Sequence, residues 1–235
     1  PNFKQYFNKF LSQQKNSEGH SLKPNTIKKY NGFENHLTAF SNHYKFNLEI
    51  SRLDKDFLSS FKDFLSQNQK LSDNTVAKYV KAAKTFIKFY INQGLIQSYD
   101  VSQVKSTEKE GEVYVLPIKQ ILQLQQFDFK SSALNNVRDI FCFMCWTGQR
   151  FSDIMSIKHD DLTKNINDET VWNLITKKTG DSISVPIITY ANEILANHKE
   201  GGSPLPNISN QKMNEHLKSI GKKIEFDNKV RVVKY

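Results

Sequence analysis

The stretch CWTGQRFSDIMSIK, Cys145–Lys158, places an arginine just past a glycine turn, where an apolar helix ends and a short amphipathic one begins. The chain has only four arginines, Arg52, Arg138, Arg150 and Arg231, among many lysines. Arg150 follows Thr147-Gly148 and is backed by the apolar run Ile140–Trp146, so its position is set by packed neighbours. A guanidinium at a helix start presents a planar fork of donors that matches a phosphate bidentately. A plainer reading is a surface ion pair with Asp153, three residues on.

Working outward, FSDIMSI reads as a short helix, and two strand-like runs follow it, ETVWNLITK and SISVPII. The turn Lys178-Thr179-Gly180-Asp181 joins them, with glycine supplying a positive φ. That tetrapeptide is either a plain hairpin turn or a lysine held on a rigid hairpin. Lys177 is the alternative lysine; on a strand it faces the other side. Before the arginine, PIKQILQLQQF predicts a helix with Pro117 in its first turn, and SALNNVRDIFCFMCWTG a buried helix closed by Gly148. After the hairpin, helices are expected near Tyr190–His198 and Ser209–Lys222, and the tail EFDNKVRVVKY could form one more strand.

The first hundred residues have a different texture. Phe3, Tyr6, Phe7, Phe10 and Leu11 recur at helical spacing, as do Ile27, Tyr30, Leu37 and Phe40. Leu53, Phe57, Phe61, Phe64 and Leu65 mark a third helix, and SDNTVAKYVKAAKTFIKFYINQG a fourth, ending at Gly94. The second and fourth share an NT-x-x-KY start, Asn25–Tyr30 and Asn74–Tyr79. A bundle of about four helices over residues 1–103 is the expectation. The polar stretch VKSTEKEGEVYVL, residues 104–116, reads as a linker to a second region over 117–235.

The 235 residues are 38% hydrophobic and 12% aromatic, enough for a packed core in one large or two ordinary domains. No apolar run reaches membrane-spanning length and no secretory signal opens the chain. Two cysteines are too few for a disulfide framework and point to a reducing, cytoplasmic setting. Cys142 and Cys145 have a CxxC spacing, but they lie in an apolar helix where free cysteine packs as a small hydrophobe. The six histidines show no ligand spacing and no phosphate-binding glycine loop occurs, so neither metal nor cofactor is expected. Net charge is +9, and residues 1–110 hold 17 Lys and Arg against 10 Asp and Glu. That basic first half fits a polyanion, nucleic acid ahead of a membrane surface; a lysine-rich surface that serves only solubility is the bland alternative.

The segment TGQRFSDIMSIKHDDL, Thr147–Leu162, resembles the TG-x-R-x-[ST]-[DE]-[IL]-x-x-L-x-W-x-D segment of tyrosine recombinases, the phage-integrase family. ITKKTGDSISVPI, Ile175–Ile187, resembles the family's lysine-bearing hairpin, and LPNISNQKMNEHLKSIG, Leu205–Gly221, resembles the helix before its second catalytic arginine. The resemblance implies a mainly α fold: a helical core-binding bundle, then a mixed α+β catalytic domain with a small antiparallel hairpin or sheet. It implies Arg150 as phosphate clamp, Lys178 as general acid and Asp153 as the residue that orients the site. It also implies site-specific recombination on duplex DNA through a 3′-phosphotyrosyl intermediate, in a C-shaped clamp and a multimeric, tetrameric synapse, without metal or membrane.

His159 stands where the family often has Trp, and Ile157 where it often has Leu. The family's His-x-x-Arg box has no match in these residues, and no LGH-type segment precedes Tyr235, so the nucleophile and second arginine are expected outside this chain. Pro1, where a Met would open a complete chain, fits a piece of a longer protein that is inactive alone. A type IB topoisomerase and a non-catalytic DNA-binding protein on the same scaffold are the alternatives.

Overall fold

A computed structural model describes residues 2–14, 19, 21–110, 115–198 and 202–224. The chain divides into two compact units, one within residues 1–112 and one within 113–231.

The first unit is built on four helices: α1 (Phe3–Gln13), α2 (Pro24–Tyr44), α3 (Lys55–Asp63) and α4 (Asp73–Ile91). Local signals mark their ends. The Asn2 side chain accepts from the Gln5 amide, and the Gln5 side chain accepts from the Asn2 amide. Asp54 caps α3 through the Phe57 amide at 2.8 Å. Pro24 opens α2, where its missing N–H costs nothing. The aromatic spacing seen in the sequence becomes an aromatic core: Phe10 meets Tyr30 and Phe86 edge-on, at 5.0 and 5.1 Å between centroids. Phe33 and Phe61 close it at 5.9 Å. Each of these rings is buried, worth about 1.5–3 kcal/mol relative to exposure. Tyr90 ties α4 to α1 by donating its hydroxyl to the Tyr6 carbonyl at 2.6 Å, and burial pushes that phenol up to about 12. Past α3 the chain takes one π-type turn, Phe64–Asn68, before Lys70 reverses it with φ +50°.

The second unit holds α5 (Ile118–Gln126), α6 (Ser132–Thr147), α7 (Phe151–Ile154), β1 (Leu162–Lys164), β2 (Thr170–Ile175), β3 (Ser182–Pro186), α8 (Thr189–Asn197) and α9 (Asn210–Lys223). The strands form one antiparallel sheet in the order β1-β2-β3, with Leu162 opposite Trp172 and Trp172 opposite Val185. β1 is absent from the sequence reading, because three residues are too few to show alternation. Pro117 is the N-cap of α5, one position before the first turn in which it was expected. The strand expected in the tail lies outside the described residues.

Helix α6 is the spine of this unit and packs against α5, α8 and α9. Val137, Ile140 and Phe143 face its core, and Trp172 of β2 sits fully buried beside Phe143. The Asp139 carboxylate is buried with them. Asp139 takes Arg138 on one oxygen at 2.7–2.8 Å and His198 on the other at 2.9 Å, so its burial is compensated on both sides. Of the cysteines, Cys142 is buried in this core as expected, with its thiol raised by burial, but Cys145 is exposed on a neighbouring side of α6. The helical repeat places positions three apart on neighbouring but distinct faces, which composition alone does not separate.

Candidate functional site

The join between α6 and α7 is made by local chemistry. Thr147 donates its hydroxyl to the Phe143 carbonyl at 2.7 Å and closes the last turn of α6. Gly148 then adopts φ +67°, and its amide donates to the Met144 carbonyl at 2.9 Å. A side chain there would find open space but a strained backbone, so glycine is required by conformation and not by packing. Arg150 is extended and is the N-cap of α7; its carbonyl accepts from the Asp153 and Ile154 amides at 2.9 and 3.0 Å. Asp153 and Ile154 are both fully buried and hold this short helix down. The Arg150 residue is exposed, and among the described residues no ion pair joins it to Asp153. The plainer reading of that arginine therefore loses its partner.

Asp153 is engaged elsewhere. Its Oδ1 accepts from the Lys177 backbone amide at 2.8 Å, while its Oδ2 is buried without a hydrogen-bond partner among the described residues. This one bond joins the helix that Arg150 caps to the turn that carries Lys177 and Lys178. The turn is itself knitted around Thr176. The Thr176 amide donates to the Asp181 carbonyl at 2.9 Å, and its carbonyl accepts from Gly180 at 2.8 Å. Its hydroxyl meets that of Thr179 at 2.7 Å and accepts from the Asp181 amide at 3.2 Å. Gly180 supplies φ +87°, as the hairpin reading required.

One expectation changes. β2 ends at Ile175, so Lys177 and Lys178 both lie in the turn and strand alternation does not separate them. What distinguishes them is that Lys177 is anchored by its amide to Asp153, with Lys178 the next residue, at the tip. Both are exposed. Thr176 was not singled out in the sequence; the Thr-x-x-Thr spacing across Lys177-Lys178 was its only signal.

Asp153→Ala is expected to leave the Lys177 amide without its acceptor, at a cost of about 1–3 kcal/mol of stability. Asp153→Asn keeps an acceptor oxygen and should retain most of it. Denaturant midpoints of the two variants decide the matter: equal losses would mean that packing, not this bond, is what Asp153 provides.

The first unit gathers positive charge on α2 and α4. Lys78, Lys81, Lys84 and Lys88 recur along α4 so that they share a side of the helix. Lys29 of α2 lies near them, and burial first, then Lys81 and Lys78, hold its ammonium below the usual lysine range. Burial and then Lys88 do the same to Lys84. The lysines are interleaved with rings. Lys29 lies 4.5 Å from the Tyr30 ring centre and Lys78 5.4 Å from that of Tyr79, while His36 packs on Tyr79 at 4.5 Å. Gly32 makes room for this, because a β-carbon there would stand 2.8 Å from the Tyr79 hydroxyl. Crowded like charge weakens the folded state unless an anion relieves it.

Among the described residues no group of three or more His, Cys, Asp or Glu is placed to hold a metal ion, and no helix is long and apolar enough to cross a membrane. Residues 2–106 match the family model of the phage integrase SAM-like domain. No curated protein matches the chain. Solved structures of low identity share its fold. A lambda integrase dimer bound to a COC′ core site is 14% identical with a TM-score of 0.68, over 95% of this chain and 78% of that one. A lambda integrase tetramer bound to a Holliday junction gives 14% and 0.68, over 96% and 64%. The Tn1549 transposon integrase in complex with circular intermediate DNA gives 15% and 0.62, over 94% and 79%.

Proposed function

We propose that this chain, which carries a phage integrase SAM-like domain and shares its fold with DNA-bound integrases, is part of a site-specific tyrosine recombinase. The observation that carries this reading is the Asp153–Lys177 hydrogen bond, which ties an exposed arginine at a helix start to an exposed lysine turn. Two cationic side chains on two braced elements suit a reaction at a phosphodiester.

In that reaction a tyrosine attacks the phosphorus, a 3′-phosphotyrosyl bond forms and the 5′-oxygen leaves; the energy of the broken bond is kept for religation. Charge grows on the non-bridging oxygens, and Arg150 stabilises it with preorganised donors. The departing 5′-alkoxide takes its proton from Lys178. Asp153 touches neither atom; it positions the helix and the turn. The cleavage-competent protein works as a multimer on duplex DNA. The test is a nicked duplex that traps cleavage. A protein–DNA adduct through tyrosine supports the proposal, and tight binding with no adduct in a protein carrying the nucleophile favours a non-catalytic DNA-binding role.

Binding itself is assigned to the lysine face of α2 and α4. Each lysine on a phosphate contributes about 0.9 to the slope of log affinity against log salt. Replacing Lys29, Lys78 and Lys81 together with alanine should therefore flatten that slope by roughly 2 to 3. A weaker complex with an unchanged slope would place the phosphate contacts elsewhere.

A further inference from the structure

The turn that carries Lys178 is closed twice, once by backbone and once by side chains. The Gly180 amide donates to the Thr176 carbonyl at 2.8 Å, which makes Thr176–Gly180 a five-residue turn with Lys178 at its centre. The Lys177 amide, at the other end of the same peptide group, donates to Asp153 at 2.8 Å. The peptide that enters the turn is therefore held on both sides by bonds that no side chain of the turn supplies.

The second closure belongs to threonine. The Thr176 and Thr179 hydroxyls share a hydrogen bond at 2.7 Å across the two lysines, and Thr176 Oγ1 also accepts from the Asp181 amide at 3.2 Å. Thr176 is buried, only 6% exposed, whereas Thr179 is exposed. A hydroxyl taken out of water is costly unless it is bonded. Both of these bonds run past the lysines to the returning limb of the turn. The packing that buries Thr176 thereby anchors that limb. A threonine that only filled the core could be valine.

We propose that Thr176 is a positioning residue for Lys178: its hydroxyl braces the returning limb against a buried base and presets the turn before DNA arrives. This rests on the reading of Lys178 as the general acid. A proton donor has to stand within hydrogen-bond reach of the departing oxygen, and a misplacement of about 1 Å can cost about a hundred-fold in rate. A lysine on an exposed turn meets that demand only if the backbone beneath it is fixed.

The test uses the cleavage-competent protein. Thr176→Val keeps the shape and lacks the hydroxyl, and Thr176→Ser keeps the hydroxyl. Thr179→Val breaks the pair from the exposed side, where no core packing is at stake. Hydrogen exchange over residues 177–181 should rise about ten-fold in Thr176→Val, as loss of one to two modest bonds implies, and less in Thr179→Val, which retains the Asp181 bond. Cleavage of ordinary DNA should slow about ten-fold in Thr176→Val, the same loss read as rate, and recover in Thr176→Ser. Sulfur at the 5′-bridging position of the scissile phosphate leaves without a proton, so Thr176→Val should cleave that substrate as wild type does. Added to Lys178→Ala, it should slow ordinary cleavage no further, because both changes act through one group. Unchanged exchange over 177–181 overturns the brace. Unchanged cleavage of ordinary DNA, or equal slowing on the two substrates, overturns the positioning role. Lys178→Ala alone, run alongside, tests the underlying reading: if it is equally slow on both substrates, the general-acid assignment fails and takes the positioning role with it, while the exchange result still decides the brace.

Discussion

Under the proposed function, replacing Arg150 with alanine is expected to slow strand cleavage by about a hundred- to a thousand-fold while leaving affinity for duplex DNA nearly unchanged. An oxyanion donor removed from a preorganised site costs about 2.7–4 kcal/mol of transition-state stabilisation. The fold should not suffer. The contribution of Arg150 to the start of α7 is its backbone carbonyl, which alanine retains, and its side chain is exposed with no ion pair to lose among the described residues. Arg150→Lys should not restore cleavage, because an ammonium is a point charge and cannot span two phosphate oxygens as the guanidinium fork does. Single-turnover cleavage and equilibrium binding, measured on the same duplex, separate these effects. A variant that lost binding and stability together would assign Arg150 to structure and remove it from the reaction.

The second large effect concerns the leaving group. Lys178→Ala is expected to slow cleavage of ordinary DNA by roughly two to four orders of magnitude, the usual range for general acid catalysis. A substrate with sulfur at the 5′-bridging position of the scissile phosphate leaves without needing that proton. The variant should cleave it nearly as fast as wild type, whereas Arg150→Ala should stay slow on it. Lys177→Ala is expected to be mild on both substrates, because the contact that fixes this residue to Asp153 is made by its backbone amide and survives the substitution. Equal slowing of Lys178→Ala on the two substrates would make that lysine a phosphate ligand, and the general acid would have to be another group.

These two predictions draw on different parts of the molecule. The arginine was legible because its neighbours announce it: a threonine that closes a helix, a glycine in a left-handed conformation and an extended residue that starts the next helix. Each of those is a local preference that a few adjacent residues can encode. The lysine was legible only as a pair. Lys177 and Lys178 are adjacent, and the strand alternation that seemed to separate them stops at Ile175. Their difference comes from a carboxylate 24 residues earlier in the chain, whose oxygen takes the amide of one and leaves the other at the turn's tip.

The same division runs through the whole chain. Phe7, Phe10, Leu37, Phe40, Phe57 and Phe61 could be assigned to buried faces from spacing alone, because helical periodicity is written into consecutive residues and water rejects the apolar side. Helix ends at Asn2, Asp54 and Gly148 were set by residues beside them. The three-residue strand β1 exists because β2 offers it a hydrogen-bonded edge, and nothing in Leu162–Lys164 shows that. Asp153 turned to the Lys177 amide and away from Arg150, and Lys29 came beside Lys78 and Lys81, only once distant segments had packed. By itself, then, the sequence determined the helices, their apolar faces, the glycine turns and the arginine that starts α7, since those depend on neighbours within a turn or two. Tertiary structure alone decided which carboxylate holds which backbone and which lysines crowd one another, because hydrogen bonds and like-charge repulsion act through space between residues that the chain order keeps far apart.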